Sequence, residues 1–181
     1  MTTTVRLATR DDAALLHALA AATFALACPP GTTQAAVEDF IAAVLSETSF
    51  AGYLADPSRA LLVAEVDGVP AGYTMLVFDD PSDSDVAAAI TARPTAELSK
   101  VYVLESQHGA GVAGALMTHS LAEARAREVA GVWLGVNQHN QRANRFYEKN
   151  GFVIVGTKKF LVGGKREDDF VRELVLVLPE A

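Results

Sequence analysis

The 181-residue chain has one cysteine, Cys28, so it builds no internal disulfide, and the count fits a reducing compartment. No apolar run approaches the length of a membrane span, so no membrane partner is expected. The opening MTTTVRLATRDD meets charge at once and lacks the apolar core of a signal peptide; a cytoplasmic protein is expected. Positive charge is in deficit, with 15 basic against 22 acidic residues and a formal net charge of −7. That is a poor footprint for a nucleic-acid binder, and it excludes that class more than it identifies another. His17, His108, His119 and His139 lack the spacing of metal ligands, so no metal is expected. Repeats, low-complexity tracts and dividing linkers are missing as well, and the length suits a single domain over 1–181. What remains is an ordinary globular balance, 50% hydrophobic and 20% charged.

The order of elements is legible in outline. Val5 to Ala8 predicts a strand, and Thr9 to Asp12 supply capping residues for a helix carrying Leu15, Leu16 and Leu19 on one face. Cys28-Pro29-Pro30-Gly31 breaks the chain. Val37, Phe40, Ile41 and Val44 then follow helical spacing. A short helix over Thr48 to Ala55 stops at Asp56-Pro57, because the residue before proline disfavours the helical region. Leu61 to Val66 and Ala71 to Phe78 flank the turn dipeptide Asp67-Gly68 and predict an antiparallel hairpin. The acid-rich stretch from Asp79 to Pro94 begins as a loop. A strand over Glu97 to Leu104 leads into a helix from Gly111 to Val129. A strand over Val132 to Val136, a helix over Asn140 to Asn150, a strand over Phe152 to Val155 and a last strand over Leu174 to Leu178 complete the order. A strand, then helices, then antiparallel strands, then a β-α-β-α-β-β series predict an α+β fold with a mixed sheet and helices on both faces.

The most informative passage runs from Val101 to Leu116: a strand, a turn with Gly109, Gly111 and Gly114, and a helix. A helix start carries free N–H groups and the positive end of the dipole, and glycine lets backbone approach an anion closely. A pyrophosphate is the natural ligand. The spacing is not that of a nucleoside triphosphatase loop. It matches the dinucleotide pattern G-x-G-x-x-G in the literal sense, but that pattern belongs after a first parallel strand and needs an acid about twenty residues on. Here the turn follows antiparallel strands, and the next strand ends Val136-Asn137 with no acid. A dinucleotide site and a plain structural turn stay open as alternatives on the residues alone.

With its surroundings, the passage resembles the acetyl-CoA signature of the GNAT superfamily of N-acetyltransferases. His108-Gly109-Ala110-Gly111-Val112-Ala113 is similar to the Gln/Arg-x-x-Gly-x-Gly/Ala motif, and Val101-Tyr102-Val103 to the strand whose backbone pairs with the pantetheine arm. Asn140 to Phe152 resembles the family's N-x-x-A-x-x-x-Y-x-x-x-G-F block. The sequence departs at His108, where Arg or Gln is usual, and at Ala110, which replaces a frequent basic residue; the loop then relies on backbone N–H groups. Phe160-Leu161-Val162-Gly163 and Asp168-Asp169-Phe170-Val171, with Phe50 to Pro57 and Glu97-Leu98, are similar to enzymes likened to the polyamine acetyltransferase PaiA.

The resemblance implies a GNAT-like fold with a mixed, mostly antiparallel sheet of about six to seven strands. It implies acetyl-CoA as cosubstrate and direct transfer to a primary amine. Tyr147, seven residues after Asn140, would take the family's role of protonating the sulfur; packing in the core beside Phe146 and Phe152 is the alternative. Glu97 matches a position that acts as base in some relatives; an edge carboxylate with a structural partner is the alternative. The N–H of Val103 would donate to the thioester oxygen, and Asn140 would bond the pantetheine arm, cap its helix, or both. Lys149 would reach a CoA phosphate or remain a solvated helix-end lysine. Cys28 has no obvious base beside it, which disfavours an acetyl-cysteine route. The acceptor is expected near the first helices and the 79–95 segment. The net charge and the likeness to PaiA suggest a small cationic amine such as a polyamine. A CoA-binding sensor of the same fold is the second possibility, and the fold also admits a homodimer joined through the C-terminal strands.

Overall fold

A computed structural model describes residues 1–176. The chain runs β1 (Thr3–Leu7), α1 (Ala13–Ala27), α2 (Gln34–Val44), α3 (Glu47–Ala55), β2 (Arg59–Val66), β3 (Val69–Val77) and α4 (Ser84–Ala89). It continues with β4 (Thr95–Val103), α5 (Val112–Ala126), β5 (Gly131–Asn137), α6 (Gln141–Lys149), β6 (Val153–Val162) and β7 (Lys165–Val175). Among the described residues the strands form one seven-stranded sheet in the order β1-β2-β3-β4-β5-β7-β6. Only β4 and β5 pair in parallel. This is the expected α+β class, mixed and mostly antiparallel.

Local chemistry explains the elements. Thr33 and Ser46 cap α2 and α3 by accepting from the N–H groups of Ala36 and Ser49, each at 3.1 Å. Asp67 and Gly68 take φ of 49° and 80°, the two positive values that a two-residue hairpin turn requires. Strand alternation then divides the core between the two faces. Leu61 and Val63 of β2 join Tyr73, Met75 and Val77 of β3 beneath α1 and α3. Leu62, Ala64 and Val66 pack instead with Val112 and Leu116 of α5. Val132, Leu134 and Val136 of β5 meet Met117 and Ala124 of α5 with Phe146 and Tyr147 of α6. Helices therefore cover both faces.

The segment from Asp79 to Pro94 begins as a loop, as expected, and then forms α4, capped by Asp83, whose Oδ1 accepts from the N–H groups of Asp85 and Val86. Val86 and Ile90 bury it against Trp133 and Val171. Two other expectations need correction. The helix expected to reach Val129 ends at Ala126, because Glu128 takes a positive φ of 58° that turns the chain toward β5. The last two strands are far longer than expected. They form a hairpin from Val153 to Val175, turned by Gly163 and Gly164 at φ 56° and 74°. Val177 and Leu178, assigned to the last strand, lie outside the described residues.

Two features of β4 shape the site. Register passes from Met75↔Lys100 to Leu76↔Leu98, so Ser99 is an extra residue, a bulge. The bulge resets the alternation: Glu97, opposite Val77, shares the α1 face with Lys100, opposite Met75, and Tyr102, opposite Tyr73. The second feature is splay. β4 pairs with β5 only through Thr95–Gly131, Ala96–Val132 and Glu97–Trp133. Beyond Glu97 the two strands diverge and leave a wedge.

Candidate active site

The wedge opens into a cavity of about 230 Å³ on the α1 side, lined by β4, by Gly135 and Asn137 of β5, and by Tyr147. A second cavity of about 170 Å³ shares Val101, Tyr102, Asn140 and Tyr147 and extends to Val103, His108 and Arg142. The two meet at the wedge.

Backbone direction decides what the wedge offers. The N–H of Leu104 donates to the carbonyl of Ala71 at 2.8 Å, so by antiparallel alternation Tyr102 exchanges its bonds with Tyr73. Val101 and Val103 then fall at the non-bonded positions of the β3 ladder, and their N–H and C=O groups face the wedge. Tyr102 contributes its ring instead, stacked on Tyr73 with centroids 5.7 Å apart.

The glycine turn follows at the end of the wedge. Gly109 and Gly111 both take φ of 82°, and Gly111 is the N-cap of α5. No side chain caps this helix, and its first intrahelical bond runs from Ala115 to the carbonyl of Gly111 at 3.0 Å. The N–H groups of Val112, Ala113 and Gly114 are thus left for a ligand. A Cβ at Gly109, Gly111 or Gly114 would meet nothing within 4 Å, so this face is bare, open backbone. Ala110 donates its own N–H to Gln107 at 3.3 Å.

His108 has a defined task. Its Nδ1 lies 2.5 Å from Nη1 of Arg142, and its Nε2 lies 2.9 Å from the carbonyl of Val103. Arginine only donates, so Nδ1 accepts, the ring hydrogen sits on Nε2, and Nε2–H donates to Val103. The imidazole therefore ties the end of β4 to Arg142. Arg142 in turn borders the hollow around Gly109, Gly111 and Gly114 and supplies a cation that Ala110 does not. Arg142 lay inside the Asn140–Phe152 block, but only the fold brings it to the turn. Lys149 stands two turns further along α6, in its last turn.

Asn140 caps α6, its Oδ1 accepting from the N–H of Ala143 at 3.1 Å, and it borders both cavities. Tyr147 packs edge-on against Phe146 and Phe152, with centroids 5.5 and 6.0 Å away, and reaches both cavities. Burial pushes its phenol up to about 12, so the hydroxyl holds its proton at neutral pH. A residue absent from the sequence reading fixes this helix. Arg172 of β7, 6% exposed, donates to Asn144 Oδ1 and to the carbonyl of Phe152, both at 3.1 Å.

Glu97 faces the larger cavity across from β5. Burial raises its carboxyl above the usual range, against the pull of Lys158, Lys100 and Arg59. Lys100 is pushed down to about 8 by burial, with Glu97 opposing and Arg59 adding to the shift. Cys28 also borders this cavity; its thiol donates weakly to the carbonyl of Phe24 at 3.4 Å, and burial raises it. His17 and His119 bond the carbonyls of Leu45 and Ala115 through Nδ1 and stand away from the site. The cavity is closed by the end of α1, Phe40 and the β6–β7 hairpin rather than by the 79–95 segment. Lys158, Phe160 and Asp169 of that hairpin, with Asn137, also line it; the sequence named Phe160 and Asp169 only in a tail likeness and assigned none of the four to the site.

Residues 24–152 match the model of the Acetyltransferase (GNAT) family. The chain belongs to the GNAT acetyltransferase family. It is 49% identical over 166 residues to an uncharacterised N-acetyltransferase of Mycobacterium tuberculosis, covering 91% of this chain and 99% of that one. Its fold is similar to the PaiA N-acetyltransferase of Thermoplasma acidophilum, solved in complex with coenzyme A. The TM-score is 0.76 at 18% identity, over 97% of this chain and 100% of that chain. It is also similar to the ribosomal-protein-S18-alanine N-acetyltransferase of Escherichia coli, with a TM-score of 0.70 at 19% identity over 99% and 97% of the two chains. Membership of the family makes this chain an acetyltransferase, and the uncapped α5 start, the bare glycine face and Arg142 are chemically suited to phosphates such as those of acetyl-CoA. No helix of the described residues is long and apolar enough to cross a membrane.

Proposed function

We propose that the enzyme transfers acetyl from acetyl-CoA to a primary amine of a small molecule by direct attack within a ternary complex. The observation that carries this reading is the wedge: Tyr147 borders it on the α6 side, Glu97 on the α1 side, and the uncapped helix start stands at its end.

Acetyl-CoA, when bound, supplies the acetyl group activated as a thioester. The N–H groups of Val112 to Gly114 and the guanidinium of Arg142 would hold its phosphates. The wedge-facing backbone groups of Val101 and Val103, with Asn140, would hold the pantetheine arm, and the Val103 N–H would meet the thioester oxygen. An alkylamine arrives protonated, with a pKa near ~10, and must lose a proton to attack. Glu97 suits that task, since burial raises its proton affinity while leaving it open to the cavity. Tyr147, its proton held by burial, suits the donation to the departing sulfur. The net charge of −7 and the likeness to PaiA support a cationic acceptor, whereas Lys100 and Lys158 in the lining weigh against one that carries several positive charges.

Tyr147→Phe tests the reading. Turnover by thiol release should fall by roughly 10²–10⁴-fold, with stabilisation of the fold by acetyl-CoA retained. Unchanged turnover would remove Tyr147 from the chemistry. Stabilisation by acetyl-CoA without thiol release from any amine in the native enzyme would favour the sensor instead.

A further inference from the structure

Across β5, β7 and β6 three polar side chains stand in one row: Asn137 is opposite Asp169, and Asp169 is opposite Lys158. Register partners share a face, and all three line the larger cavity. Among the described residues two of their atoms have no partner. Asp169 is 5% exposed, yet its buried Oδ1 accepts no hydrogen bond, and Nδ2 of Asn137 donates none. The orientation of Asn137 is fixed, because its Oδ1 accepts from the N–H of His139 at 2.9 Å. Nδ2 is therefore the free end. A buried polar group without a partner is costly, so these register-paired residues hold one unfilled acceptor and one unfilled donor.

Lys158 completes the row. It springs from the outermost strand, and its arm crosses the sheet over Gly135, where an added Cβ would collide with Lys158 Cε. The same Cβ would stand 3.4 Å from both Lys158 Nζ and Asp169 Oδ2. Gly135 thus leaves room for an ammonium and a carboxylate together. The ammonium stands 5.6 Å from the ring centroid of Phe160. Across the wedge, the same lining carries Glu97 and Lys100, which makes two carboxylates and two lysines in all.

We infer that this row is the acceptor subsite and that the acceptor is a zwitterion, an amine with its own carboxylate alongside, as in an α-amino acid. The inference rests on the acetyl-transfer reading above. On arrival the ammonium meets Asp169 and the carboxylate meets Lys158 and Asn137 Nδ2; Glu97, in the same lining, takes the proton that the amine loses before attack. Lys158 and Lys100 already balance Asp169 and Glu97, so a polyamine would leave the lining with excess positive charge, whereas a zwitterion leaves it balanced. Burial raises the Asp169 carboxyl to about 6 against the pull of Lys158, with Glu167 and Asp168 adding to the rise, so an arriving ammonium relieves an uncomfortable charge.

The test is thiol release with free α-amino acids, the same amino acids as carboxamides, and spermidine, compared per neutral amine. Free acids should exceed their amides and spermidine in kcat/KM by roughly 10–100-fold, the worth of a charged hydrogen bond or two. Lys158→Met should collapse the ratio of acid to amide toward one. Asp169→Asn should lower kcat/KM at least tenfold on the free acids, with a native melting curve as the folding control. Equal rates on acids and amides, or a preference for spermidine, would overturn the zwitterion subsite and leave acetyl transfer standing. No thiol from any amine would sink the acetyl-transfer reading and the subsite with it.

Discussion

Gly72 of β3 sits opposite Val103, where the strands approach so closely that a side chain has no place. An alanine Cβ there would stand 2.6 Å from the Tyr102 carbonyl oxygen, 3.1 Å from Val103 Cγ2 and 3.2 Å from Leu116 Cδ1. Carbon–oxygen contacts settle at about 3.3–3.6 Å, so Gly72→Ala must move the two backbones apart by roughly 0.7–1.0 Å. Leu116 is fully buried and Val103 is stiff at χ1, so neither side chain absorbs the shift. The displacement falls on residues 102–103, where the wedge-facing N–H of Val103 would meet the reacting oxygen. Overpacking costs about 1–3 kcal/mol, which at this chain length lowers the melting temperature by roughly 2–12 °C. A shift of about 1 Å at the reacting centre costs turnover up to about 10²-fold. The assay is a melting curve together with kcat by thiol release at saturating acetyl-CoA and amine, well below the melting temperature. A variant that loses the expected stability but keeps kcat within about twofold would refute the role given to the end of β4. An unchanged melting temperature would refute the packing argument itself.

Two further outcomes follow from the structure. His108→Ala and Arg142→Ala should each raise KM for acetyl-CoA by roughly tenfold, and the double variant should fall short of the product, because the two side chains act through one contact. Titration calorimetry with CoA alone checks this; additive losses would separate the residues. At the other end of the fold, Arg6 binds both oxygens of Asp12 at 2.8 and 2.9 Å and, with the Thr9 N–H, holds that carboxyl down at about 2. A depressed carboxylate contributes stability above its unfolded value, 3.8, and loses it as pH falls through about 2. The Arg6 side chain is 41% exposed, so screening leaves about 1 kcal/mol. Asp12→Asn should remove that increment at pH 7 and flatten the acid limb of a stability-versus-pH curve measured by urea unfolding.

Short-range pattern made half of this molecule legible. The strand, glycine turn and helix from Val101 to Leu116, and the helix from Asn140 with its cap, depend on neighbours within a few residues. The β6–β7 hairpin does not. Its inner face meets a polar cavity with Lys158 and Asp169, and its outer strand leaves Val153, Ile154 and Leu161 exposed, so hydrophobic alternation never develops. The available signal was Gly163-Gly164, a hairpin dipeptide between two mixed runs. The helix α4 was hidden for another reason: six residues are too few for a period to show. Asp169 and Arg172 stood only in a tail likeness or in nothing. Their positions come from register across three strands, which no local pattern encodes.

The parallel pairing of β4 and β5 ends after three residue pairs, so the sheet is continuous there along an edge of only about 10 Å. Four strands lie before this seam and three after it, and α5 packs against strands on both sides. On the proposed placement, a thin cosubstrate lying in the slot would present hydrogen-bonding groups to both sides and stand in for the rungs that the strands leave out, so binding would stiffen the seam as well as load the enzyme.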